Sequence, residues 1–541
     1  MVSNKTGYQK RIKLNINRLI NPKSSLPFFV FLCFSVVILL HSNLSFWGGN
    51  NFSRGDQAVY VNTAYQIVNG NILYKDIFSH KGPIFHFINS IGFLIGGPSG
   101  IWLIEIIFMT FGSFIGYKLL STLWGKRASF LGIMVSMCLF IICYTMQYFT
   151  GLTPEEYSVF FTFISLLIFY FIILKNKYHL LYFLSLGTVL SAIFFMKPNL
   201  IGTVFAGLLL IWFNLIKNKR YAELIRTLYG LLLGFLIVFI PLMIYFYYHN
   251  SIQSLYLDYW AFNLIYSKSS LKTYLLTGMS SLFSLKPIGG HIVVPLLLIS
   301  YLHHVYKKQR GHKNWQIKEY FILLGIVSFV INISLISLSS ANLNYYQIIL
   351  IPSIGILFTY FYSYLQKIPF IKNTRFMCLI ILISFIYAPV YTQLKRIYLF
   401  HLSPVKTEYK YHGQELIEYI NDNTDQDDYI YILDHVPPSV YYLTGRRSPT
   451  KFYFSWVVPF NESFMQIDEQ KQEYVNNIIN KAPKLIISTY NILSENGIGN
   501  YFTSRAIKKN ALNKRLFNYI KNNYTDSDYN SLGDFFIFER K

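Results

Sequence analysis

The chain is short of charge. Only 13% of its 541 residues are Asp, Glu, Lys or Arg, about half the share a soluble domain carries. Acids are the scarcer sign: residues 1–404 hold just Asp56, Asp76, Glu105, Glu155, Glu156, Glu223, Asp258 and Glu319. An ordinary water-soluble protein is thereby excluded, as the 53% hydrophobic content and the mean hydropathy of +0.36 also require. Cysteine is scarce too. Cys33, Cys138, Cys143 and Cys378 all fall in apolar stretches, so neither a disulfide framework nor a zinc site is indicated. No Gly-rich phosphate loop follows a strand-like run, which leaves a nucleotide site unsupported, and neither an internal repeat nor a low-complexity tract is present.

What the chain has instead is a series of apolar runs, each near the roughly 20 residues that cross a bilayer. The first, from Leu26 to Trp47, follows a basic N-terminus and has no small-residue cleavage site, so it reads as a retained helix rather than a signal peptide. Further spans are expected near 99–121, 128–148, 156–174, 179–196, 199–216, 227–248, 288–306, 319–338, 345–365 and 374–395, about eleven in all. Alternate connections are basic: Gly125-Lys126-Arg127, Lys175-Asn176-Lys177, Lys217-Asn218-Lys219-Arg220, Lys307 to Lys318 and Lys367 to Arg375. The opposite connections (48–98, 150–156, 196–199, 249–287 and 339–344) are polar and aromatic. The net charge of +23 therefore reads as cytoplasmic loops obeying the positive-inside rule, not as a nucleic-acid footprint. Residues 84–97 carry Gly92, Gly96 and Gly97 and meet Pro98. They read as an interfacial helix, because a full span there would invert every later loop.

The fold expected is mainly α. It has a cytoplasmic tail over 1–25, a polytopic transmembrane helix bundle over 26–395 with a first external loop at 48–98, and an extracytoplasmic α/β domain over 396–541. In that last part a helical pattern at 415–420, a strand pattern at 429–433, a polar helix near 464–480 and strand patterns at 484–488 and 534–538 suggest a small open sheet.

The first external loop is where chemistry concentrates. Arg54-Gly55-Asp56-Gln57-Ala58-Val59-Tyr60 is followed by Tyr74-Lys75-Asp76-Ile77-Phe78-Ser79-His80-Lys81-Gly82-Pro83. Polar groups clustered at a membrane interface are costly unless paired, which marks them as functional candidates. A plainer reading also stands: Asp56 suits a helix cap, and Gly82-Pro83 suits a turn. Glu155 and Glu156, after Pro154, suit the N-terminus of the next helix. Tyr345 and Tyr346 suit interface anchors.

The loop resembles the first external loop of the GT-C glycosyltransferases, the membrane superfamily that includes protein O-mannosyltransferases and the lipid A aminoarabinose transferase. Asp56, Tyr60 and Lys81-Gly82-Pro83 stand in the order and spacing of that family's acid, tyrosine and Lys-Pro-Pro or Lys-Gly-Pro element. Met196-Lys197-Pro198-Asn199 and Tyr345-Tyr346-Gln347 agree with it. Two positions depart: Gln57 stands where relatives often have Glu, and His80 where the aminoarabinose transferase has Glu. The resemblance implies a glycosyltransferase of the bacterial cell membrane. It would move a sugar from a polyprenyl-phosphate donor to an envelope acceptor at the outer face, among membrane lipid. Asp56 would be the general base. Lys81, with Lys197 and Arg54, would face the phosphate. Tyr60, Asp76, His80, Tyr345 and Tyr346 would complete the substrate site, and a divalent metal at Asp56 or His80 stays open. The aromatic stretch from Tyr256 to Leu285 suits a groove for the lipid tail. A flippase or a non-catalytic scaffold of the same fold are the alternatives. Transporters usually show two related halves, which this chain lacks.

Overall fold

The structure is a computed structural model describing residues 25–46, 55–145, 151–175, 178–266, 298–303, 306, 317–338, 344–366, 390–398, 404–433, 436–454, 468–489, 492–493, 511–527 and 535–541. Among them six helices are long and apolar enough to cross a membrane: Pro83–Trp124, Lys126–Tyr144, Pro154–Lys175, Tyr221–Tyr248, Ile317–Ser337 and Tyr345–Tyr364. Ser25–Leu39, Leu180–Phe194 and Gly202–Lys217 are shorter apolar helices. Continuous apolar sequence takes this form because a backbone in lipid must satisfy its own hydrogen bonds. The chain is a membrane protein, mostly helical. Most of 288–306 and 374–395, the remaining expected spans, lies outside the described residues.

The segments expected at 84–97 and 99–121 form one run, Pro83–Trp124, broken inside at Gly96 and Gly97. Gly97 has φ 59 and ψ -145, a backbone region that is essentially closed to residues with a Cβ, and Pro98 follows it. Before the break, Ile91, Leu94 and Ile95 are exposed, as befits a surface turned to lipid.

The loop that precedes this run is compact. Helix Gly55–Val68 is followed by a turn in which Tyr74 has φ 68. Ile72 N–H donates to Asp76 Oδ2 at 2.8 Å and Tyr74 N–H to Ile77 O at 2.8 Å. The Tyr74 side chain is fully buried against Phe246 and Tyr259.

The C-terminal part holds a four-stranded sheet ordered β1-β2-β4-β3, with β1 Ile430–Ile432, β2 Leu485–Ser488, β3 Tyr524–Asp526 and β4 Phe536–Arg540. β1 and β2 are parallel, with Ile430 opposite Leu485; β4 runs antiparallel to both β2 and β3. β3 had no strand pattern in the sequence: its Thr525 and Asp526 are exposed, so burial wrote no alternation there. Helices Pro404–Asn423, Asp468–Lys481 and Ala511–Asn523 cover the sheet with Leu416, Ile420, Tyr474, Ile478, Leu516 and Ile520, all buried.

This part is seated directly on the loop before Pro83 through residues 450–454. Lys451 carries the contact: its Nζ lies 3.1 Å from Asp258 Oδ2 and 3.4 Å from Tyr74 O, and its carbonyl accepts Phe78 N–H at 3.0 Å. Asp258, in the π-helix Tyr256–Ala261, is 0% exposed and also accepts from Gln470 Nε2. Burial pushes its carboxyl up to about 7, against the pull of Lys451. That an ion pair rather than apolar packing sits here favours a defined docking geometry over raw stability, since burying two charges costs most of what their attraction returns.

Candidate active site

Helix Gly55–Val68 places Asp56 in its first turn, where a carboxylate opposes the positive end of the helix dipole. Tyr60 lies one turn on and therefore on the same face; its hydroxyl donates to Asp56 Oδ2 at 3.5 Å. The same oxygen accepts Tyr345 O–H at 3.3 Å, from the 3-10 helix Asn344–Leu350. Tyr346 stands edge-on to Tyr345 at 4.8 Å, and Lys197 Nζ lies 3.8 Å above the Tyr346 ring, within cation–π range. Lys197 also donates to Glu155 Oε1 at 2.5 Å.

Lys81 reaches this cluster by a backbone splice. Gly82 N–H donates to Met196 O at 2.9 Å and Ile84 N–H to Phe195 O at 3.1 Å, so Lys81-Gly82-Pro83 is laid along Met196-Lys197-Pro198. Gly82 is required by the closeness: a Cβ there would stand 2.0 Å from Phe195 O and 2.8 Å from Met196 O. The Lys81 carbonyl is held by Tyr74 O–H at 2.7 Å, and that of His80 by Asn263 Nδ2 at 2.7 Å.

The electrostatics follow from burial. Lys81 is 4% exposed, and among the described residues no carboxylate lies within ion-pair distance of its ammonium. Burial and the neighbouring Lys197 lower its pKa, although Tyr346, Glu155 and Asp56 pull the other way. Burial raises the Asp56 carboxyl above its ordinary value, with Lys81 and the Tyr345 hydrogen bond opposing. Burial also works against a charged Lys197, but Glu155 and Tyr346 outweigh it and leave its pKa raised. His80, half-buried near Phe262, is held well below the usual histidine range by burial and Lys81.

The site thus joins Asp56, Tyr60, Lys81, Lys197, Tyr345 and Tyr346, drawn from four distant stretches of chain. Asp76 does not join it. It is exposed, its carboxylate caps Ile72 N–H, and Lys75 donates to His249 O instead. Arg54 lies outside the described residues. Among the described residues no three His, Cys, Asp or Glu side chains converge as a metal would require.

Glu155 is the member that sequence reasoning passed over as a helix cap. Thr153 fills that role: its Oγ1 accepts Glu156 N–H at 3.3 Å, which frees Glu155 for Lys197. Two consecutive acids where one cap suffices, in a chain so poor in acids, were the available signal. Glu156 turns the other way and accepts from Tyr144 O–H at 2.6 Å. Glu105 accepts Leu152 N–H within the bundle, because the turn at Gly151 and Leu152, both at positive φ, aims that amide at it. Glu155→Gln is expected to leave Lys197 facing Lys81 without its ion-pair partner. The cost should be about 3 kcal/mol, read as a lowered denaturation midpoint of the detergent-solubilised protein.

The fold that carries this arrangement is similar to that of a solved membrane protein. ArnT from Cupriavidus metallidurans bound to undecaprenyl phosphate superposes with a TM-score of 0.52 at 11% identity, over 85% of this chain and 92% of that one. The apo form of the same protein gives 0.51 at 12% identity, over 84% and 90%. The chain belongs to the family of competence-induced Ccs4 N-terminal domains, which matches residues 19–393. Among curated proteins no sequence matches it.

Proposed function

We propose that the chain is a glycosyltransferase that moves a sugar from a polyprenyl-phosphate donor to a cell-envelope acceptor at the outer face of the bacterial cell membrane. The observation that carries this reading is Lys81, a buried cation without an ion-pair partner among the described residues, in the same cluster as the carboxylate of Asp56. A buried charge of that kind is costly until an anion meets it, and a lipid phosphate is an anion that arrives with an apolar tail. That ArnT of the same fold has been seen with undecaprenyl phosphate supports the choice of ligand.

In the proposed reaction the acceptor hydroxyl oxygen attacks the anomeric carbon as its proton passes to Asp56. The bond from that carbon to the phosphate oxygen breaks, and the phosphate leaves with the electron pair. Lys81 meets the charge developing on the phosphate, while Glu155 and Tyr346 hold Lys197 beside it. Tyr60 and Tyr345 fix the Asp56 carboxylate by donating to one oxygen, which leaves the other for the acceptor. Residues 26–395 form the catalytic body in this reading, and 396–541 stand outside the cytoplasm.

The test is turnover of a panel of polyprenyl-phosphate sugars by the purified, lipid-reconstituted chain, reading released polyprenyl phosphate with envelope acceptors present. Release from one donor is expected, and Lys81→Met should raise the donor KM by about tenfold or more, the scale of a lost charge-assisted contact. No release from any donor, together with donor-dependent ion flux across the vesicle, would replace the enzyme by a transporter.

A further inference from the structure

The site is carried on two arms. One is helix Gly55–Val68, with Asp56 and Tyr60; the other is the turn from Leu73 to Lys81. Residues 450–454, far along the chain, bind both.

On the first arm, the Tyr453 hydroxyl shares a hydrogen bond with Thr63 Oγ1 and donates to Val59 O at 3.1 Å. Val59 immediately precedes Tyr60, and Thr63 lies one turn beyond it. On the second arm, Lys451 O accepts Phe78 N–H at 3.0 Å and Lys451 Nζ reaches Tyr74 O at 3.4 Å. Tyr74 in turn holds the Lys81 carbonyl. Phe452 and Phe454 flank the Phe78 ring at 4.9 and 6.0 Å between centroids. Tyr453, Phe452, Phe454, Thr63 and Phe78 are all buried, so water does not compete for these bonds, which strengthens each of them.

The placement is informative because the Lys451 charge is not spent on the chemistry. Its ammonium pairs with Asp258, not with Asp56 or Glu155. The segment also lies beyond residue 393, where the family match ends. A separately folded appendage has no need to send a buried lysine and a buried tyrosine hydroxyl into the loop of its neighbour.

We propose that Lys451 and Tyr453 are positioning residues of the site. They set Asp56 and Lys81 at a fixed separation, so that the C-terminal part completes the site of the family's domain. The inference rests on the function proposed above, and it divides the labour: Tyr453 governs the arm with the base, and Lys451 the arm with the phosphate lysine.

Full-length Tyr453→Phe, Lys451→Met and Lys451→Arg, each reconstituted in lipid, test it by two readouts. The first is kcat and donor KM for polyprenyl-phosphate release. Tyr453→Phe should lower kcat by about tenfold or more with donor KM within about threefold, as loss of alignment in the transition state alone requires. Lys451→Met should chiefly raise donor KM, and Lys451→Arg should recover most of that loss. The second readout is amide hydrogen exchange, which is independent of activity. Exchange should quicken in 55–68 for Tyr453→Phe and in 73–82 for Lys451→Met, with the strands at 430–432 and 485–488 unchanged. Wild-type kcat, KM and exchange in all three variants would overturn the proposal. So would exchange that quickens across the whole chain with no rescue by Arg, since the contact would then serve folding alone. If wild type releases nothing from any donor, the proposed function fails, and the exchange pattern by itself decides the positioning role.

Discussion

Asp56→Asn is expected to cut polyprenyl-phosphate release by about 10²–10⁴-fold, the range that a positioned general base supplies, with donor affinity nearly unchanged. Asn keeps the size and can still accept from Tyr60 and Tyr345, so the helix start should survive; what it loses is the capacity to take the acceptor proton. The wild-type pH profile should be bell-shaped and narrow. Asp56 must be ionised, and its pKa is raised by burial, so activity should fall away on the acid side at a higher pH than an exposed Asp would give. Lys81 must be protonated, and its pKa is lowered by burial and by Lys197, so the alkaline limb should come below that of an exposed lysine. Single-turnover release and equilibrium donor binding, measured across pH, check both. Unchanged release in Asp56→Asn would make this carboxylate structural and move the search for the base to Glu155.

Gly82→Ala should be as damaging without touching a reactive group. Its Cβ would overlap the Phe195 carbonyl at 2.0 Å, and backbone on both sides leaves nothing flexible to yield. Separating the two segments breaks the bonds from Gly82 and Ile84 to Met196 and Phe195 and carries Lys81 away from Lys197. Overpacking of this kind costs at least about 1–3 kcal/mol, and a displacement near 1 Å at a reacting group costs about 100-fold in rate. A lowered melting temperature together with at least that loss of release is the expected result. A Gly82→Ala protein with wild-type stability and rate would mean that the splice is looser than its geometry.

How much of this was open to sequence reading differs from one residue to the next. Asp56 and Tyr60 were brought together by the resemblance, and the structure sets them one turn apart on a single helix face. Lys81-Gly82-Pro83 was marked by the resemblance, which does not say that its glycine is a contact between two stretches of backbone. Lys197 and Tyr345-Tyr346 were singled out, yet a spacing of about 150 residues says nothing of a lysine lying on a tyrosine ring. Glu155 was read as a cap because the N-terminal position explained it sufficiently until Thr153 was seen to do that work. Asp76 was drawn into the site by its neighbours in sequence and turned out to cap its own turn.

What the sequence determined by itself was the membrane bundle, the break near Gly96, and the loop that carries the reactive residue types. Those depend on local properties: apolar length, the charge of connections, and what glycine and proline allow. The convergence of Asp56, Lys81, Glu155, Lys197 and the two tyrosines, and the seating of Lys451 and Tyr453 on both arms of the loop, were decided only in the tertiary structure. Burial sets the pKa of each group and packing sets its partners, and both depend on chain segments that share no neighbourhood until the fold has formed.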